Sequence, residues 1–205
     1  MTQPFILLVG AGGHARACID VIEQEGRFAI LGLVGMPDEV GQTVLGYPVL
    51  GGDADLPSLR ERCPNALVTL GQIKSPDPRI RLYSLLERLD FALPAVVSPL
   101  GYVSRHALLG SGSIVMHGAL VNAGARVGCN CILNSRALIE HDAVIEDHCH
   151  ISTGVLVNGG ARVGAGSFVG SGSVLKEGIA LGERCLAGMG LSVRTSHSAQ
   201  SRIIQ

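Results

Sequence analysis

At 205 residues the chain has room for two small domains, and its formal net charge of −1, with no basic run, argues against a nucleic-acid partner. Only 16% of residues are charged while 47% are apolar, so part of the surface is expected to be covered by other subunits. No apolar run reaches the roughly 18 residues of a membrane span, and the short run at Phe5 lacks the basic flank of a signal peptide, so a cytoplasmic protein is expected.

Phe5-Ile6-Leu7-Leu8-Val9 is a continuous apolar run, the pattern of a strand buried on both faces. It enters Gly10-Ala11-Gly12-Gly13-His14-Ala15. Ala17, Cys18, Val21 and Ile22 then recur at helical spacing, and Gly26 ends that helix. Ala29 to Val34 reads as a second strand. Tyr47-Pro48-Val49-Leu50 reads as a short edge strand, because proline cannot donate to a central ladder. A helix is expected from Leu56 to Arg62, a strand from Ala66 to Leu70 and a helix from Arg79 to Leu89. This alternation predicts a Rossmann-like α/β domain over residues 1–94.

From Val97 the pattern changes. Val97, Val103, Leu109, Val115, Val121, Val127, Leu133, Ile139, Ile145, Ile151, Val157, Val163, Val169, Leu175, Leu181, Ala187 and Val193 keep one six-residue frame without a slip. Four residues after most anchors stands a small residue, among them Ala107, Ser113, Ala125, Cys131, Cys149, Ser167 and Cys185. Six fits neither the helical period of 3.6 nor the strand period of 2. It fits a parallel β-helix in which each six makes one short flat face and one corner, and three sixes close a coil. The prism is assigned to residues 95–205, and its polar tail from Thr195 is expected to carry no packed structure.

The cysteines obey no pairing rule. Cys131, Cys149 and Cys185 occupy the small slot of the repeat and read as buried thiols in a reducing compartment. Cys129-x-Cys131 is too closely spaced for a zinc ribbon.

Two stretches carry chemistry. Gly10-x-Gly12-x-x-Ala15 lies between a strand and a helix, where small residues and the helix N-terminus suit a phosphate. No acid caps the second strand to hold a ribose: Gly35 stands there, and Asp38 is too far along. A nucleotide phosphate held by the turn and His14 is the favoured reading, with a bound NAD and a merely tight turn as the alternatives. The second stretch is Asn134-Ser135-Arg136-Ala137-Leu138-Ile139-Glu140-His141-Asp142, followed by His148-Cys149-His150. His141 and Asp142 fall between an anchor and a corner, so they should point outward. Gly159 lies three sixes further on, directly over His141, and leaves room beside an imidazole that titrates near neutral pH. His106, His117 and His197 read as surface residues.

The six-residue repeat, the Gly10-to-His14 turn and the Asn134…Glu140-His141-Asp142…His150 segment together resemble the hexapeptide family of sialic-acid O-acetyltransferases and bacillosamine and perosamine N-acetyltransferases. The likeness runs from about Phe5 to Val193. It implies a left-handed β-helix, a homotrimer with sites between subunits, and acetyl-CoA and a nucleotide-linked amino sugar as substrates, with no metal. It also implies roles: His141 as general base and Asp142 as its acid partner, Asn134 on the sugar, and His150 on the acetyl group. Gly159, Ser171 and Met189 would lie along the cofactor, and Gly12, Gly13 and His14 on the nucleotide. The chain departs from the family at Gly35-Met36-Pro37, where acids usually stand, and after Val193, where a Gly-Asn/Val-Pro-Ala motif is absent.

The expected reaction is direct attack of the sugar amine on the thioester, without an acyl-enzyme, with the His150 ring or a backbone N–H stabilising the oxyanion. An O-acetyltransferase acting on a sialic acid or capsular sugar is the nearest rival. A non-catalytic nucleotide-binding scaffold is a further reading. A zinc enzyme of the γ-carbonic-anhydrase kind would require a histidine where Glu146 stands.

Overall fold

The computed structural model describes residues 3–204. The first domain comprises β1 (Phe5–Val9), α1 (Gly13–Glu25), β2 (Ala29–Val34), β3 (Thr43–Val44), β4 (Tyr47–Gly51), α2 (Leu56–Arg62), β5 (Asn65–Val68) and α3 (Asp77–Arg88). Its sheet runs β3-β4-β2-β1-β5, parallel except for the β3–β4 pair. Ile6 and Leu8 of β1 pack on Ala15, Cys18, Ile19 and Ile22 of α1. Leu7 and Val9, on the opposite side of the same strand, pack on Leu56, Leu59, Leu82 and Leu86 of α2 and α3. Cover on both sides is why β1 is apolar throughout rather than alternating. Gly26 ends α1 with φ 70° and donates its N–H to the Ile22 carbonyl, as its position in the sequence implied.

Two expectations for this domain need correcting. Ala17 is exposed, and the buried stripe of α1 runs instead through Ala15, Cys18, Ile19, Val21 and Ile22. Tyr47–Gly51 is not an edge strand. It pairs with β2 on one side and with the two-residue β3 on the other, where Pro48 lies opposite Thr43. A partner that short leaves no long ladder for Pro48 to interrupt.

From Val96 the chain lays down two-residue strands every six residues, each paired in parallel with the strand three repeats on. Three faces result. One has seven strands from Val96–Val97 to Arg202–Ile203, one has six from Tyr102–Val103 to Ser192–Val193, and one has five from Leu108–Leu109 to Ala180–Leu181. The second residue of each strand is the aliphatic anchor and points inward. Anchors from Val115 to Val193 are buried, together with the small slot residues between them. Between the faces the chain turns at a residue in the left-handed region, every sixth position from Gly112 to Gly190. Nine of these are glycine, and the others are Asn130, Arg136, Asp142, His148 and Arg184. A non-glycine there costs about 1 kcal/mol or more, least for Asn and Asp.

The tail is packed, contrary to expectation. Arg202–Ile203 adds a seventh strand beside Leu186–Ala187, and His197 bridges Leu181. The pairs Leu186↔Arg202 and Leu181↔His197 both fall two short of the three full sixes that separate partners elsewhere in the prism. The last coil is therefore out of the six-residue frame, which hid it from the periodicity.

The α/β domain docks on the seven-stranded face. The outward residues of its first three strands, Val96, Ile114 and Ile132, join the core of β1 and α1. His117, expected to be a free surface residue, bridges the domains, with Nε2 2.7 Å from Asp20 Oδ2 and Nδ1 2.6 Å from Ser98 Oγ. Among the described residues no helix is long and apolar enough to cross a membrane.

Candidate active site

The outward ladder of the seven-stranded face is where docking surface becomes binding surface. After Val96, Ile114 and Ile132 it continues as His150, Phe168 and Leu186. The first three are covered by the α/β domain; the next three line a groove of about 680 Å³ between that domain and the prism. His14, Gln72 and Ile73 form the wall on the domain side. Asn134, Ser152, Ser171 and Met189 form the wall on the prism side. The groove thus unites five of the residues singled out in the sequence: His14, Asn134, His150, Ser171 and Met189.

His150 is buried and firmly held. Its Nδ1 lies 2.6 Å from the Gln72 carbonyl oxygen, its Nε2 lies 3.3 Å from Asn134 Nδ2, and its ring meets Phe168 edge-on at 5.2 Å. Burial, with the Arg79 charge adding to it, lowers its pKa to about 4 despite the Gln72 contact. His14 faces it at 6.4 Å between ring centroids. Its pKa falls to about 3 through burial, then Arg79, then His150, and its Nε2 is buried without a hydrogen-bond partner. Both rings are neutral at physiological pH.

Arg79 was expected only as the first residue of a helix, yet it is almost fully buried. It donates to the carbonyls of Val68, Leu70 and Asn130 and to Asn130 Oδ1, and among the described residues it makes no ion pair. Burial brings its pKa down to about 10, so it stays charged. Its hydrogen bonds tie α3 and the end of β5 to a prism turn. A buried arginine looks like any surface arginine in a sequence, and no signal there marked this one.

His141 and Asp142 lie elsewhere, at the corner between the six- and five-stranded faces, and neither lines the groove. His141 Nδ1 is 3.0 Å from Asp142 Oδ2, and both side chains are well exposed. The Asp142 hydrogen bond raises the imidazole pKa above its ordinary value. A Cβ on Gly159, one coil above, would lie 2.7 Å from both Cε1 and Nε2 of His141, so the bare backbone there is what the ring rests against. Below, Gly124 leaves the equivalent room for the Asp142 carboxylate. Asp142 occupies the left-handed turn position with φ 59°, which favours a short polar residue irrespective of chemistry. Its contact with the ring, not its place in the repeat, is what marks it. Glu140 accepts from Asn122 Nδ2 and from the His141 N–H, and its charge adds to the rise in the imidazole pKa.

The glycine turn forms a separate depression of about 260 Å³ lined by Gly12, Gly13, Arg16, Glu39, Gln42 and Thr43. Gly12 and Gly13 are thereby parted from His14, which faces the groove. A Cβ on either glycine would meet nothing within 4 Å, so the space over the start of α1 is open. A carboxylate does lie beside Gly35, brought there by the turn that follows β2. Glu39 folds back so that Oε2 accepts the Met36 N–H at 2.8 Å and lies 2.6 Å from where a Gly35 Cβ would be. Gly35 is what makes this fold-back possible, so the apparent gap in the motif and the acid four residues later are one feature.

All six cysteines are free thiols, and Cys131, Cys149 and Cys185 sit in the inward slots. Burial, together with Cys131, holds the Cys149 thiol well above its ordinary pKa. Among the described residues there is no group of three or more His, Cys, Asp or Glu side chains arranged to hold a metal.

Residues 5–83 match the family described as the PglD N-terminal domain. A substituted form of perosamine N-acetyltransferase from Caulobacter crescentus, in complex with CoA and GDP-perosamine, is similar over 96% of this chain and 92% of that one, at 29% identity and a TM-score of 0.89. The acetyltransferase domain of PglB from Neisseria gonorrhoeae, in complex with acetyl coenzyme A, is similar over 97% and 95%, at 27% identity and a TM-score of 0.89. WeeI from Acinetobacter baumannii shares the fold at 20% identity, over 96% and 94%, with a TM-score of 0.64. No curated protein sequence matches. A Rossmann-like domain docked on a left-handed parallel β-helix, with a groove between them, defines a hexapeptide-repeat acyltransferase. Within that class residues 5–83 match the PglD N-terminal domain, and nearly the whole chain is similar to perosamine N-acetyltransferase and to the acetyltransferase domain of PglB.

Proposed function

We propose that this protein transfers the acetyl group of acetyl-CoA to the amino group of a nucleotide-linked deoxy-amino sugar. The observation that carries the reading is the groove. It gathers His14, Asn134, His150, Ser171 and Met189, in a fold shared along nearly its whole length with an enzyme captured with CoA and GDP-perosamine. In this reading the nucleotide phosphates lie over Gly12 and Gly13 at the start of α1, where the helix dipole favours anions. The pinned Glu39 carboxylate accepts from the ribose hydroxyls, the role an acid after the second strand plays in dinucleotide-binding folds. His14 lines the inner end of the groove, with its Nε2 buried and unpartnered just behind the wall. The sugar reaches Asn134, and acetyl-CoA runs along Gly159, Ser171 and Met189 to His150.

His141 is the general base. Its Nδ1–H donates to Asp142, which leaves the Nε2 lone pair to take a proton from the attacking amine. The amine nitrogen bonds to the thioester carbonyl carbon, the C–S bond breaks as the tetrahedral adduct collapses, and the proton on His141 passes to the departing CoA sulfur. No acyl-enzyme is required, since Cys149 faces the prism interior with its thiol against backbone carbonyls.

Because His141 stands at a different corner from Asn134 and His150, the site is completed by a second copy, in a homotrimer with sites between subunits. The outward residues of the six-stranded face support this: Leu120, Leu138, Leu156 and Val174 form an apolar ladder that the single chain leaves partly exposed. Six free thiols suit a reducing compartment, which supports assigning the reaction to the cytoplasm.

A thiol-release assay with acetyl-CoA and a panel of UDP-, GDP-, dTDP- and CMP-linked amino sugars, run against hydroxyl sugars, tests the reading. Turnover confined to amino sugars supports it, and turnover confined to hydroxyl acceptors replaces it with O-acetylation.

A further inference from the structure

The histidine in the groove belongs to a hydrogen-bond chain whose direction is set at both ends by the backbone. At one end the Ser135 N–H donates to Asn134 Oδ1 at 2.8 Å. A backbone N–H only donates, so the amide oxygen is turned to Ser135 and Nδ2 is turned to His150 Nε2. At the other end His150 Nδ1 lies 2.6 Å from the Gln72 carbonyl oxygen, which only accepts, so Nδ1 carries a hydrogen. A buried neutral imidazole holds one ring hydrogen. The lone pair is then on Nε2, where it receives the Asn134 N–H.

The Gln72 carbonyl is itself immobilised. The buried Gln72 side chain donates from Nε2 to the Gly166 carbonyl of the prism at 3.3 Å, and Arg79 holds the Leu70 carbonyl two residues earlier. Docking of the α/β domain therefore selects the tautomer of a histidine on the prism. The depressed His150 pKa agrees with a neutral ring.

We infer that His150 faces the groove as a hydrogen-bond acceptor that aims Asn134, and that the second N–H of the Asn134 amide is the donor this wall offers to the acetyl carbonyl oxygen. This rests on the acetyl-transfer reading and revises two assignments: the His150 ring is not the oxyanion donor expected from the sequence, and the free Asn134 N–H serves the acetyl oxygen rather than the sugar. His150 is a positioning residue. Asn134 Nδ2 keeps one hydrogen uncommitted after serving His150, and an amide N–H directed at an oxygen that gains negative charge stabilises the adduct more than the ground state.

Two measurements on the full-length protein decide this. Long-range 1H–15N correlation of histidine-labelled protein, with His150 assigned by its loss in His150→Asn, should show a protonated Nδ1 and an unprotonated Nε2 from pH 8 to pH 5. A protonated Nε2, or a charged ring in that range, overturns the inference whatever the enzyme's activity. Asn134→Asp keeps the shape and removes the donor, so it should lower kcat by about 10²-fold while the KM for either substrate changes far less. Turnover in Asn134→Asp near the wild-type rate also overturns it. Wild-type protein that releases no thiol with any acceptor sinks the acetyl-transfer reading instead, and the tautomer is then judged by the spectrum alone.

Discussion

The groove and the exposed corner are both built around histidine, and they treat it in opposite ways. In the groove, His150 is buried, neutral and hydrogen-bonded at both ring nitrogens, with its pKa depressed to about 4. At the corner, His141 is exposed, has one partner, and its pKa is raised by Asp142. The first arrangement is complete within one chain, since every hydrogen bond that sets the ring is internal. The second is half of an arrangement, in which the ring is oriented on one side and presents its other nitrogen to whatever lies outside the chain. A fixed shape suits the binding of a thioester and a sugar, and an accessible imidazole strengthened as a base by its carboxylate suits proton removal.

This contrast can be broken most severely at the corner. His141→Ala should lower kcat by about 10²-fold or more, with nucleotide-sugar and CoA binding retained in calorimetry. Near-normal turnover would remove His141 from the mechanism.

A smaller effect is expected from Gly159→Ala. The added methyl would sit 2.7 Å from the imidazole, which can swing toward solvent, so the fold should barely notice while alignment is lost. A kcat reduction of about tenfold with Tm within a few degrees of wild type is the expected pair of results. A large loss of Tm would instead make Gly159 a structural residue.

Asp142→Asn should be milder and more informative. Without the carboxylate the His141 pKa falls back toward its ordinary value. The base then remains unprotonated to lower pH, so the acid limb of the kcat profile should move down in pH even as kcat itself drops several-fold. A limb that stays in place assigns the titration to another group.

The groove predicts a stability signature rather than a rate. His14 and His150 have folded-state pKa values of about 3 and about 4, below the ordinary 6.5. Their contribution is present above pH 6.5 and is lost as pH falls from there toward 4, because the unfolded chain then binds protons that the folded chain refuses. Urea midpoints should fall over that interval. In a His14→Gln, His150→Asn double variant the fall should be shallower, and an unchanged slope would place the acid sensitivity elsewhere.

Legibility in the sequence followed periodicity. The prism declares itself because each inward position meets the same constraint, an aliphatic side chain stacked over its equivalent in the coil below. The glycine over His141 could be found by counting for the same reason. Where the repeat shortens by two at the tail, the structure persists and the signal is lost. Glu39 was missed because its carboxylate arrives by a turn rather than by register. Arg79 and Gln72 were missed because only burial and partners distinguish them.

The sequence alone determined the coil, the inward anchors, the α/β alternation of the first domain and the stacking of Gly159 over His141, since each follows from spacing along one chain. Only the tertiary structure decided that the α/β domain covers the lower half of one prism face and leaves His150, Phe168 and Leu186 to form a groove. It alone parted His14 from its glycine turn and set the direction of the hydrogen-bond chain through Gln72, His150 and Asn134. The reason is physical: burial and hydrogen-bond polarity depend on which distant surfaces meet, and Gln72 and His150, 78 residues apart, have no local pattern that records their contact.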